Sequence, residues 1–346
     1  MWKKETMIMK KRLGICGCTG HVVKFGEMVN SFAESEIAVV WDYREERGRK
    51  VAETLNVPFE PDYEKVLDEY GLDGVLVITE NSHKAELCIR AAEHGLSIFV
   101  EKPMCVSLKE AYAVRDAVNR NGVKFFMTDP FVRRGLIKIK EMMKNGELGT
   151  VTEAIFRICQ NRPRFKEQFS QDTSQGGIMA DVGGHAIHMA HYLFGKPEKL
   201  SSVLAYNNEY ARSNNVETNA RVTMVYPGDL LVSLECSFVS RGYEGMCIVR
   251  GTEGSAVVVS GGIGHEREEI VELYRSQNEK EAITDLPDNP KSHIRYFVEM
   301  LVNDLPNDIV GVDPYSNSGV SLEHAVEYVE IIDAIYRSAG KGLLEL

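Results

Sequence analysis

The first third of the chain alternates short apolar runs with longer amphipathic stretches. Residues 13–16, 37–41, 74–78, 96–100 and 123–127 are rich in Val, Ile and Leu and read as buried strands. The stretches between them, such as 82–94 and 107–121, carry a helical pattern. Ser82 and Ser107 can cap their starts, and His94-Gly95 and Asn121-Gly122 end them. Strands alternating with helices of this length predict a parallel, doubly wound sheet. After Pro130 the texture changes. A basic amphipathic helix over 136–144 ends at Asn145-Gly146. Long alternating Thr- and Val-rich segments follow at 151–160, 217–226, 230–239, 246–250 and 255–259, with Pro227-Gly228-Asp229 as a hairpin turn between two of them. Helices over 291–303 and 322–339 close the chain. The pattern predicts an α/β protein with two domains: a doubly wound parallel sheet over 1–130 and an α+β domain with a mainly antiparallel sheet over 131–346.

The end of the fourth strand carries candidate chemistry. Glu101-Lys102-Pro103 stops the apolar run at 96–100 and leaves a lysine at the carboxyl edge of the sheet, where ligands bind in open α/β sheets. A partly desolvated lysine there suits acid/base work. An isolated Glu-Lys-Pro would more simply be a solvated turn; its place in a nucleotide-binding pattern reverses that preference. The first strand runs into Gly17-Cys18-Thr19-Gly20-His21-Val22. A glycine-rich turn between strand and helix lets backbone N–H groups and the helix N-terminus face a pyrophosphate. The full Gly-x-Gly-x-x-Gly pattern is broken by Thr19 and Val22, so this signal is weak alone. It gains weight from Asp42 at the end of the second strand, 22 residues after Gly20. An acid there accepts from the adenosine ribose hydroxyls and repels a 2′-phosphate, favouring NAD over NADP. Arg44 and Arg47 just beyond could instead hold that phosphate, and Asp42 could also be a helix cap.

A second cluster runs from Gly176-Gly177 through Asp181, Gly183-Gly184, His185, His188 and His191. If the stretch is helical, Asp181, His185 and His188 share one face at i, i+4 and i+7. Histidines filling a core are one reading. A metal site is another, but it lacks a cysteine partner and the glutamate of the familiar zinc helix. The favoured reading is an acid/base and substrate-binding pair in which Asp181 orients and charges His185; no metal is expected.

Composition narrows the rest. A chain of 346 residues with 44% hydrophobic content can bury two cores, and no apolar stretch reaches membrane-spanning length. The basic stretch 1–12 is followed by an apolar run too short for a secretory signal, so a cytoplasmic location is the default expectation. A formal charge of −11 argues against nucleic acid and anionic membranes as partners. The seven cysteines show no zinc spacing and fit reduced, buried thiols.

Together these elements resemble the glucose–fructose oxidoreductase/inositol dehydrogenase family, Gfo/Idh/MocA, over nearly the whole chain. The resemblance is carried by Gly17-Cys18-Thr19-Gly20 after the first strand, Asp42, Thr79 and Asn81, Glu101-Lys102-Pro103, and Asp181 with His185 after Gly176-Gly177. Gly146-Glu147-Leu148-Gly149 and Gly251-Thr252-Glu253-Gly254 also look like family turns. The resemblance implies an NAD(P)-binding Rossmann domain over 1–130 and a substrate-binding, oligomerising α+β domain with a large open sheet over 131–346. It implies hydride transfer between NAD(P) and a hydroxyl or keto carbon of a sugar or polyol. Cofactor would be held by Gly17, Cys18, Thr19, Gly20, His21, Asp42, Thr79, Asn81, Glu101 and Lys102. Lys102 and His185 would share the acid/base role with Asp181 in support, and Lys102, Asp181, His185 and His188 would bind substrate. A homodimer or homotetramer is expected.

Three positions depart from the family pattern besides Thr19 and Val22. Glu80 stands where members usually have proline, Lys84 where histidine is common, and His188 where aspartate is common. The arginines Arg133, Arg134, Arg157, Arg162 and Arg164 lie near segments that line the family's substrate cleft and could recognise a carboxylate or phosphate. Two rival functions are a redox-neutral, NAD-assisted glycosidase or epimerase, and a non-catalytic NAD- or sugar-sensing regulator.

Overall fold

The computed structural model describes residues 10–161, 176–260, 269–307, 319–339 and 341. Arg162 and Arg164 lie outside them. The chain divides into two compact units. The first comprises Met1–Cys105, Lys109–Thr128 and Lys291–Ala325; the second comprises Val106–Leu108, Asp129–Pro290 and Val326–Leu346.

The first unit opens with strand β1 (Lys11–Cys16), helix α1 (Val22–Ser31), β2 (Ser35–Trp41), α2 (Glu45–Leu55), α3 (Tyr63–Glu69), β3 (Gly74–Val77), α4 (Asn81–Glu93), β4 (Ser97–Glu101), α5 (Leu108–Asn121) and β5 (Phe125–Thr128). The strands form one sheet in the order β2-β1-β3-β4-β5, paired in parallel throughout. This is the doubly wound Rossmann arrangement, with every strand nearly continuous in apolar residues because both faces are covered. The expected serine cap at Ser82 is not used: α4 starts one residue earlier, at Asn81.

The second unit contains α6 (Arg134–Lys144), β6 (Val151–Asn161), a π-turn over Met179–Gly183, α7 (Gly184–Phe194), β7 (Lys199–Ala205), α8 (Glu209–Ser213) and β8 (Asn219–Tyr226). Next come β9 (Leu230–Ser237), β10 (Val239–Gly251), β11 (Ser255–Ser260), β12 (Val271–Ser276) and β13 (Glu279–Ile283). They build an eight-stranded sheet in the order β13-β12-β11-β10-β6-β9-β8-β7. Only the β6–β9 pair is parallel; the other neighbours are antiparallel. Two details differ from the sequence pattern. The run over 230–239 is two strands meeting near Phe238, and β10 carries an irregular register between Val239 and Glu244, where Gly242 adopts φ +90°. Strands β7, β12 and β13 go beyond the sequence pattern. The sequence of β13, Glu-Lys-Glu-Ala-Ile, is exposed along its length and carries no buried alternation to reveal it.

One face of this sheet is covered and the other is open. On β8 and β9 the side chains of Ala220, Val222, Met224, Val232, Leu234 and Cys236 are buried. Leu231 on the same hairpin remains 48% exposed, and Val203 on β7 remains 43% exposed. The covered face receives α7, whose terminal Phe194 meets Phe156 and Tyr226 edge-on.

Helix α9 (His293–Val302) returns to the first unit, and α10 (Leu322–Ala339) follows. Ser292 caps α9 by accepting from the Arg295 N–H. Phe297 packs 5.6 Å from the ring of Phe99, which itself stacks on Phe126, so this late helix completes the core begun by β1, β4 and β5. Among the described residues, no helix is long and apolar enough to cross a membrane.

Candidate active site

The turn after β1 has the form a pyrophosphate needs. Gly17 sits at φ +96°, and a Cβ there would stand 2.4 Å from Cβ of Thr79, so only glycine fits. Helix α1 begins directly after His21 with neither a side-chain cap nor an acid in its first turn; the Val22 N–H donates to the Thr19 carbonyl at 3.3 Å, and no side chain of this first turn repels an anion. Thr19, in the place of a fingerprint glycine, is used structurally. Both its N–H and its Oγ1 donate to the carbonyl of Ile78, at 3.0 and 3.1 Å, tying the turn to the end of β3. Cys18 is buried, and burial, followed by the charge of Asp42, pushes its thiol well above the ordinary range. Glu101 reaches towards the same turn; its carboxylate lies 3.5 Å from where a Cβ on Gly20 would stand. These features fit a bound dinucleotide.

Asp42 is deeper than expected. Its side chain is fully covered, and it accepts from the Arg44 N–H at 2.7 Å and from two nitrogens of Arg47 at 2.9 and 3.0 Å. Asp42 therefore turns the chain just ahead of α2 rather than capping it, since the residue at the helix cap is Arg44 and no side chain caps that helix. Arg47 continues to Glu80, donating to its two oxygens at 2.8 and 3.2 Å, and Thr79 Oγ1 donates to Glu80 at 2.9 Å. These donors, led by Arg47, hold the Glu80 carboxyl at about 2 against an opposing push from burial.

Lys84 explains how the Lys102 turn is held. It is 1% exposed, and its Nζ donates to the backbone carbonyls of Glu101 (2.7 Å), Lys102 (3.1 Å) and Pro103 (3.2 Å) and to Asn81 Oδ1 (3.0 Å). Asn81 and Lys84 lie at i and i+3 on the first turn of α4, so the helix presents both to the turn after β4. Lys102 itself is half-buried. Burial pushes Lys84 down to about 8 from 10.5, opposed by the Glu101 carboxylate. At neutral pH it remains mostly charged, and a charged donor to clustered carbonyls is the strong kind.

Lys84→Met is expected to cost ~2–4 kcal/mol, because carbonyls built around a donor lose it. Thermal melting checks this. The pH dependence has a definite sign. Between about 8 and 10.5 the unfolded lysine keeps its proton while the folded one sheds it. The folded state then binds fewer protons, so its stability relative to the Lys84→Met variant rises with pH through that window.

In the second unit, the segment of Asp181 and His185 is not one regular helix. Gly183 N–H donates to the carbonyl of Ile178 at 2.8 Å, an i to i−5 bond that makes Met179–Gly183 a π-turn before α7 begins. The wider turn alters the regular i, i+4, i+7 spacing expected for Asp181, His185 and His188. His185 Nδ1 instead donates to Asp129 Oδ1 at 2.8 Å, and Asp129 is completely buried. The ring of Phe131 stacks on His185 at 3.8 Å and 14°. Asp181 is half-buried with its Oδ2 enclosed, and His188 is buried on the same helix as His185. His191 points elsewhere, donating from Nε2 to Glu327 at 2.6 Å.

The preceding diglycine is clamped by buried Glu217, which accepts from the N–H groups of Gly177 and Met179 at 2.9 and 2.8 Å and from the hydroxyl of Tyr336 at 3.0 Å. Tyr328 is buried against Gly184, where a Cβ would stand 1.5 Å from its hydroxyl oxygen. Burial, with the charges of Asp129 and Asp181, pushes its hydroxyl well above 10, so it stays protonated beside the two carboxylates. Of the arginines, Arg157 is committed to Glu235 and Glu244, and Arg134 to the carbonyls of Leu286 and Pro287. Arg133 lies over Phe131 and lines a mostly apolar pocket with Phe131, Leu136, Met189 and Glu269.

Comparison with known proteins agrees with this architecture. Residues 11–129 match the oxidoreductase family with an NAD-binding Rossmann fold, and residues 136–257 match the GFO/IDH/MocA C-terminal domain. The chain belongs to the GFO/IDH/MocA family. It is 27% identical over 249 residues to scyllo-inositol 2-dehydrogenase (NAD(+)) of Bacillus subtilis, covering 67% of this chain and 68% of that protein. It is 25% identical over 331 residues to D-xylose 1-dehydrogenase (NADP(+)) 2 of Haloferax volcanii, covering 95% and 97%. Among solved structures, GenD2 from gentamicin A biosynthesis in complex with NAD superposes with a TM-score of 0.76 at 20% identity, covering 100% of this chain and 99% of that one. The protein is an NAD(P)-dependent oxidoreductase, and NAD(P) is its cofactor.

Asp129, Phe131 and Tyr328 were not singled out in the sequence. A signal for Asp129 existed, since it directly follows β5 at the same sheet edge that drew attention to Lys102. Nothing local marks Tyr328, whose place is set by packing against a glycine 144 positions earlier in the chain.

Proposed function

We propose that the protein transfers hydride between the nicotinamide of NAD and a hydroxyl or keto carbon of a sugar, polyol or related small molecule. The pairing of His185 with the buried carboxylate of Asp129 carries this reading. A carboxylate accepting at Nδ1 fixes the tautomer that leaves Nε2 as proton acceptor. Relatives named for scyllo-inositol and D-xylose support the substrate class.

Bound nicotinamide supplies the hydride acceptor. The chain's own residues handle the proton and the orientation. Gly17, Cys18, Thr19, Gly20 and His21 form the pyrophosphate turn; Thr79, Asn81 and Glu101 shape the sheet edge beside it. Lys102, held by Lys84, and His185, held by Asp129, share removal of the hydroxyl proton. Asp181 and His188 bind neighbouring substrate hydroxyls, and Arg133 offers a positive charge to an acidic substituent. The Asp129–His185 bond gives His185 an acid/base role without a metal.

The test is incubation with NAD and a panel of inositols, sugars and sugar acids while following absorbance of the reduced nicotinamide. Reduction with at least one panel member is expected. Product formation without net absorbance change would replace this reading with redox-neutral chemistry.

An oligomer formed through the second unit's sheet is also proposed, because Leu231 and Val203 leave apolar area on its open face. Light scattering at micromolar concentration should give a dimer or tetramer. A mass near 38.8 kDa would refute it.

A further inference from the structure

The carboxylates around Arg47 bear on which dinucleotide the protein accepts. Arg47 lies in the first turns of α2, just after β2, where the adenosine ribose of a dinucleotide is expected. An arginine at such a place ordinarily recognises the 2′-phosphate of NADP. Here its Nε and Nη2 meet Asp42, while Nη1 and Nη2 meet Glu80. Its guanidinium is therefore engaged on two sides. Arg44, largely exposed, also lies 3.8 Å from Glu80 Oε1, so Glu80 occupies both arginines of this edge. Tyr43 adds a ring 5.2 Å from Arg47, further fixing the fork.

We propose that Glu80 is a specificity-determining residue, holding Arg47 away from a 2′-phosphate and so selecting NAD over NADP. This rests on the NAD reading given above. Three observations support it. Glu80 is the only one of the three with its helix position outside the β2–α2 segment: it immediately precedes α4, so Arg47 is bridged between two separate strand ends. Its side chain is 16% exposed whereas that of Asp42 is fully covered, so Glu80 is the acid an incoming phosphate would meet. Finally, Thr79 donates to Glu80 Oε2, a second donor beside Arg47 that fixes the carboxylate. A dianionic 2′-phosphate would have to displace these charge-assisted bonds while approaching two carboxylates. The 2′-hydroxyl of NAD carries no such charge.

Fluorescence titration with NADH and NADPH tests this without turnover. The full-length protein is expected to bind NADH more tightly. Glu80→Gln keeps the shape and removes the charge. It should narrow the NADH/NADPH affinity ratio by at least about tenfold, through tighter NADPH binding. Glu80→Ala serves as a second variant if the amide disturbs folding. Adding Arg47→Gln to Glu80→Gln should abolish the gain, because the Nη1 edge released from Glu80, with Asp42 still holding Nε, is what receives the phosphate. An unchanged ratio in both Glu80 variants overturns the assignment. So does a gain that survives Arg47→Gln. Tighter NADPH binding by the unmodified protein would overturn the NAD reading itself, a result distinct from either.

Discussion

Lys102→Met is expected to lower kcat by roughly 10²–10⁴-fold, the range for a lost general acid/base. Methionine keeps the length of the stem and removes the proton site. The turn that carries it should persist, because Lys84 holds it through the carbonyls of residues 101, 102 and 103 rather than through the Lys102 side chain. NADH affinity should therefore change far less than kcat, since the glycine turn and the β2 edge bind other parts of the dinucleotide. His185→Ala should also lower kcat. The proposed sharing of one proton predicts that the double variant costs much less than the product of the two. Near-normal turnover by Lys102→Met on a substrate identified from the panel would sink the assignment.

Much of the architecture was legible because it rests on local patterning. The five strands of the first unit are apolar on both faces and short, and each ends at a recognisable punctuator, so their order along the chain could be read directly. The hairpin at Pro227-Gly228-Asp229 was equally plain: Gly228 and Asp229 both adopt positive φ there. What stayed hidden depends on contacts distant in sequence. The pairing of Asp129 with His185 spans 56 positions, and the clamp of Glu217 on Gly177 spans 40. The π-turn was invisible for a different reason. Helical periodicity assumes one regular spiral, and an added residue in a single turn changes which side chains share a face. Asp42 shows a third limit. Its residue type and position are plain in the sequence, but its cover, Arg47, comes only with the fold. In the sequence Lys84 is only a departure from a family pattern, and its four oxygen partners give that departure a physical purpose.

Asp129→Asn is the second large effect expected, and it separates holding from filling. Asparagine matches aspartate in size, so packing around the buried site should be retained. The charge is lost. An asparagine oxygen could still accept from His185 Nδ1, but it would not stabilise the imidazolium that forms when Nε2 takes a proton. If the amide turns, its NH₂ donates to Nδ1 and forces the proton onto Nε2, which removes the base. An acid-to-amide change beside a catalytic histidine costs up to ~10⁴-fold in kcat by this route. A loss of ~10²–10⁴-fold is expected here, with KM changed far less because Asp129 is buried beneath His185 rather than presented to substrate. The pH profile provides the discriminating readout. Loss of the carboxylate should shift the His185 limb of kcat/KM towards lower pH, since the protonated ring loses its counter-charge. Asp129→Glu, which restores the charge at a slightly different reach, should recover part of the activity. A purely structural role predicts the opposite pattern: Asp129→Asn would be active with an unshifted profile, and the bulkier Asp129→Glu would be the more damaging change.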